Sequence, residues 1–341
     1  MRLLFDVLHP AHVHFFRHLA EKTRSEGGEV YFTARQKDVT IELLEAFDLP
    51  YEVLTRIGGG FAGLVREMAV RTAKLTRRVR SFEPDLMLGI MGPVIAPVGR
   101  ITGVPSWVYY DTETATLTNT YAYRLAHRVY LPECYHGAAP ASARRYPGFH
   151  ELGYLHPDRF TVDPSIRAEV GVGPDEPFAV VRIVSWEASH DVGDTGFSDA
   201  SAFVRRLAER IRVVVTGERG VPDDLKPYAL TMPPHRIHHL LAEADLYVGE
   251  GATMGAEAAI LGTPAVFVHT ARLGYMLELE DRWSLLWNTA SQADAERHAD
   301  QVLDDLEATR ALWNERRAEM LKHRIDVGAW MVDEVKGFLG G

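Results

Sequence analysis

Glycines at 249, 251 and 255 lie between a short apolar strand and a helix in the run Asp245-Leu-Tyr-Val-Gly-Glu-Gly-Ala-Thr-Met-Gly-Ala-Glu-Ala-Ala-Ile-Leu-Gly-Thr-Pro264. A turn of this kind lets backbone N–H groups close on an anion. The helix that follows aims the positive end of its dipole at the same point. Gly251, Ala252, Thr253 and Gly255 are therefore candidates to hold a diphosphate. Glu257, read as about half a turn into that helix, offers a carboxylate to ribose hydroxyls. Gly262 and Pro264 stop the helix and begin the next strand. A ligand-free turn would use the same glycines, but the strand before them, the acid within and the Gly-x-Pro after them favour a phosphate cradle.

A second cluster, His9, His12, His14 and His18, follows the first strand. Histidine titrates near neutral pH, so His12 is a candidate general base that takes the proton of an acceptor hydroxyl. Asp6 and Asp111 are the carboxylates that could orient it, because both fall near strand ends. His9, His14 and Glu113 are read as acceptor-side groups, although for His9 and His18 a capping or packing role is the preferred reading. A His-x-His after a first strand also suits a metal hydrolase, but no further ligands recur at later strand ends. Arg182 and Ser185 end a later strand and could bond donor phosphates, with Asp191 or Asp194 as alternative partners of Arg182. Gly217 in Thr216-Gly-Glu-Arg219 is read as a wall of a base pocket, and Ile237 as recognising a base through its backbone. His269, with Tyr275 and one of Glu278 or Glu280, is read as contacting sugar hydroxyls.

These groups need elements to carry them. The chain has 341 residues, 46% of them hydrophobic, which exceeds one ordinary core and predicts two domains. Strands are predicted at 2–8, 29–34, 51–54, 85–89, 105–109 and 128–131, with helices near 13–26, 37–48, 61–82, 94–102 and 119–126. A Pro- and Gly-rich stretch from 146 to 177 reads as an interdomain connection. A second alternating series has strands at 178–183, 211–216, 246–248 and 265–268, and a helical tail runs from about 292 to 338. Alternation of this kind means βαβ units and parallel sheets with ligands at the strand carboxyl ends. Two doubly wound α/β domains facing across a cleft are expected, 1–155 and 156–321, with a last helix at 322–341 packing back on the first.

The formal net charge of −10 argues against general nucleic-acid binding. The single cysteine, Cys134, excludes an internal disulfide or a cysteine metal cluster and favours the cytoplasm. The first strand begins at once, so no signal peptide is expected. On the 61–82 helix, Arg66, Arg71, Lys74, Arg77, Arg78 and Arg80 share an arc opposite Leu64, Met68, Leu75, Val79 and Phe82. A solvated basic face explains that arc. Peripheral contact with anionic lipid at the inner face of a membrane is the alternative.

The 249–264 stretch resembles the donor-binding signature of GT-B-fold glycosyltransferases and of UDP-GlcNAc 2-epimerase. The opening Asp6-Val-Leu-His-Pro-Ala-His-Val-His-Phe-Phe16 resembles that of the family catalogued as domain of unknown function 354, predicted glycosyltransferases. It is more distantly similar to the first loop of the transferase that completes lipid II, with Pro10 and Ala11 where that enzyme has glycines. The resemblance implies a GT-B fold, a donor diphosphate on Gly251 to Gly255, a ribose on Glu257 and His12 near the acceptor. Its implied activity is transfer of a sugar from a nucleotide-diphosphate sugar, a UDP-sugar first among them, to a saccharide or lipid-linked hydroxyl acceptor. Cell-surface polysaccharide or glycolipid synthesis is the expected setting. With no Asp-x-Asp motif, neither a metal nor another cofactor is expected, and a His12 or Asp111 base would make the reaction inverting. The rivals are a nucleotide-sugar 2-epimerase, whose Gly-Thr-Arg-Pro-Glu loop is replaced here by Leu8-His-Pro-Ala-His12, and a non-catalytic nucleotide-sugar binding protein.

Overall fold

The computed structural model describes residues 1–56, 60–113, 116–184, 196–217 and 220–340, leaving aside the side chains of 60–62, 64 and 116–118. The chain forms two compact units, Met1–Arg159 with Ile325–Gly341, and Phe160–Arg324.

In the first unit the strands are β1 Arg2–Val7, β2 Glu29–Gln36, β3 Tyr51–Arg56, β4 Leu86–Ile90, β5 Ser106–Tyr109, β6 Arg128–Pro132 and β7 Arg144–Tyr146. Helices α1 Pro10–Ser25, α2 Thr40–Ala46, α3 Gly60–Phe82, α4 Ile95–Thr102 and α5 Thr116–Leu125 connect them. The seven strands are parallel in the order β3-β2-β1-β4-β5-β6-β7. Helices cover both faces, which is why β1 and β4 read as nearly unbroken apolar runs. One face holds Leu4, Leu75, Val79, Met87, Val98 and Val108. The other is aromatic: Phe5, Phe15, Phe16 and Tyr109 pack in series.

The second unit carries α6 Ile166–Glu169, β8 Phe178–Ile183, α7 Ala200–Ala208, β9 Arg212–Gly217, α8 Ile237–Glu243, β10 Leu246–Gly249, α9 Ala252–Leu261, β11 Ala265–Val268, α10 Gly274–Asp281, β12 Leu286–Thr289, α11 Gln292–Asp304 and α12 Leu306–His323. Its five parallel strands run β12-β11-β10-β8-β9. The chain then returns to the first unit as α13 Val327–Leu339. There Trp330 packs on Tyr130 and Tyr146, and Phe338 on Trp107. Among the described residues, no helix is long and apolar enough to cross a membrane.

In each sheet the strand order reverses once, between β1 and β4 in the first unit and between β8 and β10 in the second. Loops diverge to opposite faces at such a point and leave a crevice at the strand carboxyl ends. The histidine cluster follows β1, and the glycine turn follows β10.

Four expectations are corrected. Strands β7 and β12 were not foreseen. Helix α1 begins at Pro10, not near 13, because proline at its first turn is pre-set for a helix and His9 caps it, Nδ1 accepting from the Ala11 amide at 3.3 Å. His12 and His14 are thus helical residues. Arg71 does not belong to a solvated basic face: it is 1% exposed and donates to Asp6, which also accepts from Thr33 Oγ1 at 2.7 Å. Lys74 and Arg78 are also bonded within the unit, to the Leu54 carbonyl and to Glu52. Finally, α9 starts at Ala252, so Glu257 is its sixth residue, more than a full turn in.

Candidate active site

In the second unit, the β10–β8 register sets Gly249 beside Arg182. A Cβ at 249 would lie 2.7 Å from both Arg182 Cβ and the Tyr247 hydroxyl, so only glycine lets the strand end pass this closely. Gly251 is the N-cap of α9 and brings no side-chain cap. The N-cap itself therefore takes none of the first N–H groups of that helix, a start suited to an external acceptor. Tyr247 donates its hydroxyl to the Gly251 carbonyl at 3.1 Å and steadies the turn; burial pushes its phenol far up, against the pull of Arg182. Glu250 accepts from the amides of Val184 and Phe197 at 2.9 and 3.1 Å. The Arg182 guanidinium has no hydrogen bond or ion pair among the described residues. An uncapped helix start and an unspent arginine therefore share one turn.

Glu257 is 4% exposed and lies 3.0 Å from His238 Nε2, on α8. It is read above as a carboxylate open at the helix end; the structure puts it a turn deeper, against a buried imidazole. Ile237 heads α8. Gly217 ends β9, where a Cβ would meet the Gly220 carbonyl at 1.9 Å. His269 stacks on Phe267, and its Nδ1 accepts from the Ala271 amide at 2.9 Å. Glu278 is engaged by Arg324 and Trp283, and Glu280 by Asn288, so these carboxylates hold the fold together. Tyr275 is buried. Ser185, Asp191, Asp194 and the Glu218-Arg219 part of the base-pocket turn lie outside the described residues.

In the first unit, His12 is 7% exposed in the first turn of α1, and its Nδ1 accepts from the Leu8 amide at 3.3 Å. Receiving an N–H requires an unprotonated Nδ1, so the neutral ring carries its proton on Nε2. Burial, and next the positive field of His9, push its pKa well below 6.5, against the pull of Asp111. His14 is buried and packed between Phe47 and Tyr154. Glu113 accepts from the His136 amide at 3.1 Å. Asp111 follows β5 with a side chain 22% exposed; Oδ1 accepts from Thr112 at 2.9 Å and Oδ2 lies 3.0 Å from His150 Nδ1. Burial alone would raise this carboxyl, but His150, by charge and hydrogen bond, and Thr112 bring it down to about 2. Asp6, the other suggested partner of His12, is bound instead to Arg71 and Thr33.

His150 and His238 were missed. His150 lies in the stretch read as a linker and His238 in a helix without site spacing, so each is recognisable only from its partner. His156, Asp158 and Asp326 are grouped as a cation site would be, but Asp326 is bonded to Arg159 at 2.8 Å and caps α13.

Two parallel-sheet α/β units, each with polar groups at its switch point, have the GT-B fold. The glycosyltransferase SsfS6 of Streptomyces sp. SF2575, solved with thymidine diphosphate, matches with a TM-score of 0.65 at 13% identity, over 99% of each chain. UDP-GlcNAc 2-epimerase from Neisseria meningitidis, solved with UDP-GlcNAc, matches with a TM-score of 0.69 at 10% identity, over 100% of each chain. At these identities the likeness shows the fold alone. The chain belongs to the family described as Protein of unknown function (DUF354), which it matches over residues 1–282. An uncharacterized protein of Methanocaldococcus jannaschii is 22% identical over 282 residues, 79% of this chain and 82% of the relative.

Proposed function

We propose that the protein is a metal-independent, inverting glycosyltransferase that moves a sugar from a UDP-sugar to the hydroxyl of a saccharide or lipid-linked acceptor. The observation that carries this reading is the uncapped start of α9 beside Arg182. Amide dipoles and an arginine fork are suited to a leaving diphosphate and can take the charge a metal would otherwise stabilise. Ala252, Thr253 and Gly255 would line that cradle, with Gly217, Ile237 and His269 towards base and sugar. Both structural relatives were solved with a nucleoside diphosphate or its sugar, which fits the same donor class.

In the first unit Asp111 is the base. The acceptor oxygen bonds to the anomeric carbon as the bond to the diphosphate oxygen breaks, and the acceptor proton passes to the carboxylate. His12, neutral with its proton on Nε2, donates a hydrogen bond to acceptor or sugar instead of taking the proton. The setting we propose is synthesis of a surface polysaccharide or glycolipid at the inner face of the cytoplasmic membrane. The outer face of α3 suits such a surface, since Val65 and Val70 are 54% and 39% exposed and Arg66, Arg77 and Arg80 are exposed beside them.

Calorimetric titration with UDP, GDP, dTDP, uridine and their diphosphate sugars tests the reading. Nucleoside diphosphates should bind and free nucleosides bind far less. Equal binding of uridine and UDP would refute the cradle. The epimerase of the same fold is the second reading, and conversion of UDP-GlcNAc to its manno epimer without an acceptor would establish it in place of the transferase.

A further inference from the structure

We propose that His150 is a positioning residue for the reaction: its Nδ1, 3.0 Å from Asp111 Oδ2, fixes the carboxylate that receives the acceptor proton. This rests on the reading of Asp111 as base.

His150 opens a 3-10 turn, His150–Gly153, that follows β7. Its ring is 6% exposed, packed on Phe15 with centroids 4.4 Å apart and parallel to Tyr146 at 6.4 Å. Aromatic neighbours on this scale hold the ring plane, so the Nδ1 direction is set by packing and not by the carboxylate. Its Nε2 is buried and has no hydrogen-bond partner among the described residues. Among the described residues, no acceptor is placed to receive a proton from it. The ring proton therefore belongs on Nδ1, where Asp111 accepts it. Thr112 holds the other oxygen. Two donors in fixed directions define the carboxylate plane and leave its exposed side for the acceptor. Tyr109 and Tyr146 bring hydroxyls that are buried without partners among the described residues, so neither replaces His150 as a donor to Asp111.

The groups whose charge reaches this pair come from several elements. His12 belongs to α1, Tyr135 follows β6, and Tyr146, which lies parallel to the His150 ring, is itself within the field of Cys134 and Glu151. The hydrogen bonds that lower the Asp111 carboxyl come from His150 and Thr112, while His12 acts on it through charge.

Three substitutions test the assignment. In His150→Asn the amide nitrogen reaches the place of Nδ1, in His150→Gln it reaches that of Nε2, and His150→Phe keeps only the ring. The protein is labelled with 13C at aspartate carboxyls, and the Asp111 signal is identified as the one lost in Asp111→Asn. It should titrate near 2 in the wild type, close to that in His150→Asn, and clearly higher in His150→Gln and His150→Phe, which lack the lowering hydrogen bond. With UDP-GlcNAc as probe donor, the last two should lose at least about tenfold in kcat with unchanged donor KM. His150→Asn should recover most of that rate. An Asp111 titration and a turnover that do not differ between His150→Asn and His150→Gln would overturn the proposal, and that comparison stands even where His150→Phe does not fold. Full activity of Asp111→Asn would instead overturn the parent reading and leave the titration result intact.

Discussion

Replacing Arg182 with methionine separates binding from folding. Methionine keeps the stem that packs on Gly249 and Gly251 and removes only the guanidinium. Because that group has no partner among the described residues, its loss strands no buried carboxylate among them, and the ligand-free melting temperature should move by less than about 2 °C, as for a surface substitution. Hydrogen bonds to a charged phosphate are each worth about 1.5–3 kcal/mol. At 1.4 kcal/mol per factor of ten, Arg182→Met should weaken UDP binding by about 10- to 150-fold. Uridine, which has no diphosphate, should bind as it does to the wild type. Titration calorimetry with UDP and uridine on both proteins reads the difference. An equal loss for the two ligands would mean that Arg182 shapes the nucleoside pocket. No loss for either would remove it from the site, and the donor reading with it.

The other predictions concern the remaining strand ends. Asp6→Ala leaves the Arg71 guanidinium buried without its carboxylate and should cost about 3–5 kcal/mol. For a unit of this size that is a fall in melting temperature of roughly 6–20 °C by calorimetry, and a fall under about 2 °C would show that the pair is not structural. Gly251→Asp supplies the missing cap: its Cβ would lie 3.4 Å from Arg182 Cγ, and its carboxylate would take the first α9 amides. Stability should hold or rise by a few tenths of a kcal/mol while UDP binding disappears; retained binding would show that the anion sits elsewhere. His12 has a folded pKa below its unfolded 6.5, so its contribution to stability is present above 6.5 and lost as pH falls through the lower folded value. His12→Asn keeps an acceptor for the Leu8 amide and cannot titrate; its loss of melting temperature between pH 7 and 5 should be smaller than that of the wild type.

What could be read from the sequence follows from how each element is buried. Strands β8 and β11 are predicted to the residue because nearly every side chain in Phe178–Ile183 and Ala265–Val268 is buried, giving an apolar run with clear ends. Strands β7 and β12 are the outermost strands of their sheets. Arg144 and Arg145 are exposed, and Trp287 and Asn288 are half-buried, so three- and four-residue edges show no pattern. The glycine turn and Arg182 are legible because backbone geometry requires those residue types. The pairs are not. Asp111 finds His150 beyond two intervening strands, Asp6 finds Arg71 on a helix of another crossover, and Glu257 finds His238 on the preceding helix. Nothing local in the sequence encodes a partner that topology supplies. Glu257 is misplaced for a simpler reason: the helix start was set by its glycines, and a shift of a few residues moves a carboxylate from the end of a helix into its buried side.

Charge supports the substrates proposed for the two units. A diphosphate bound beside Asp111 would face a carboxylate that stays ionised down to about pH 2. At 4 Å and an effective dielectric of 20, two like unit charges repel by about 4 kcal/mol. The same anion beside Arg182 and the α9 amides is attracted by a comparable amount. Asp6, the other acid at the first switch point, is already neutralised by Arg71, so it neither repels a ligand nor offers a base. At the strand carboxyl ends the first unit thus presents Asp111, whose ionised carboxylate suits a neutral hydroxyl, and the second presents Arg182, a cation with no ion pair among the described residues, which suits a phosphate. A protein that only sensed a nucleotide sugar would use the second arrangement and have no work for the first. A carboxyl held near 2 is a weak base, so the part proposed for Asp111 rests on its orientation by His150 and Thr112, and it would take the proton only as the acceptor hydroxyl loses it in the transition state.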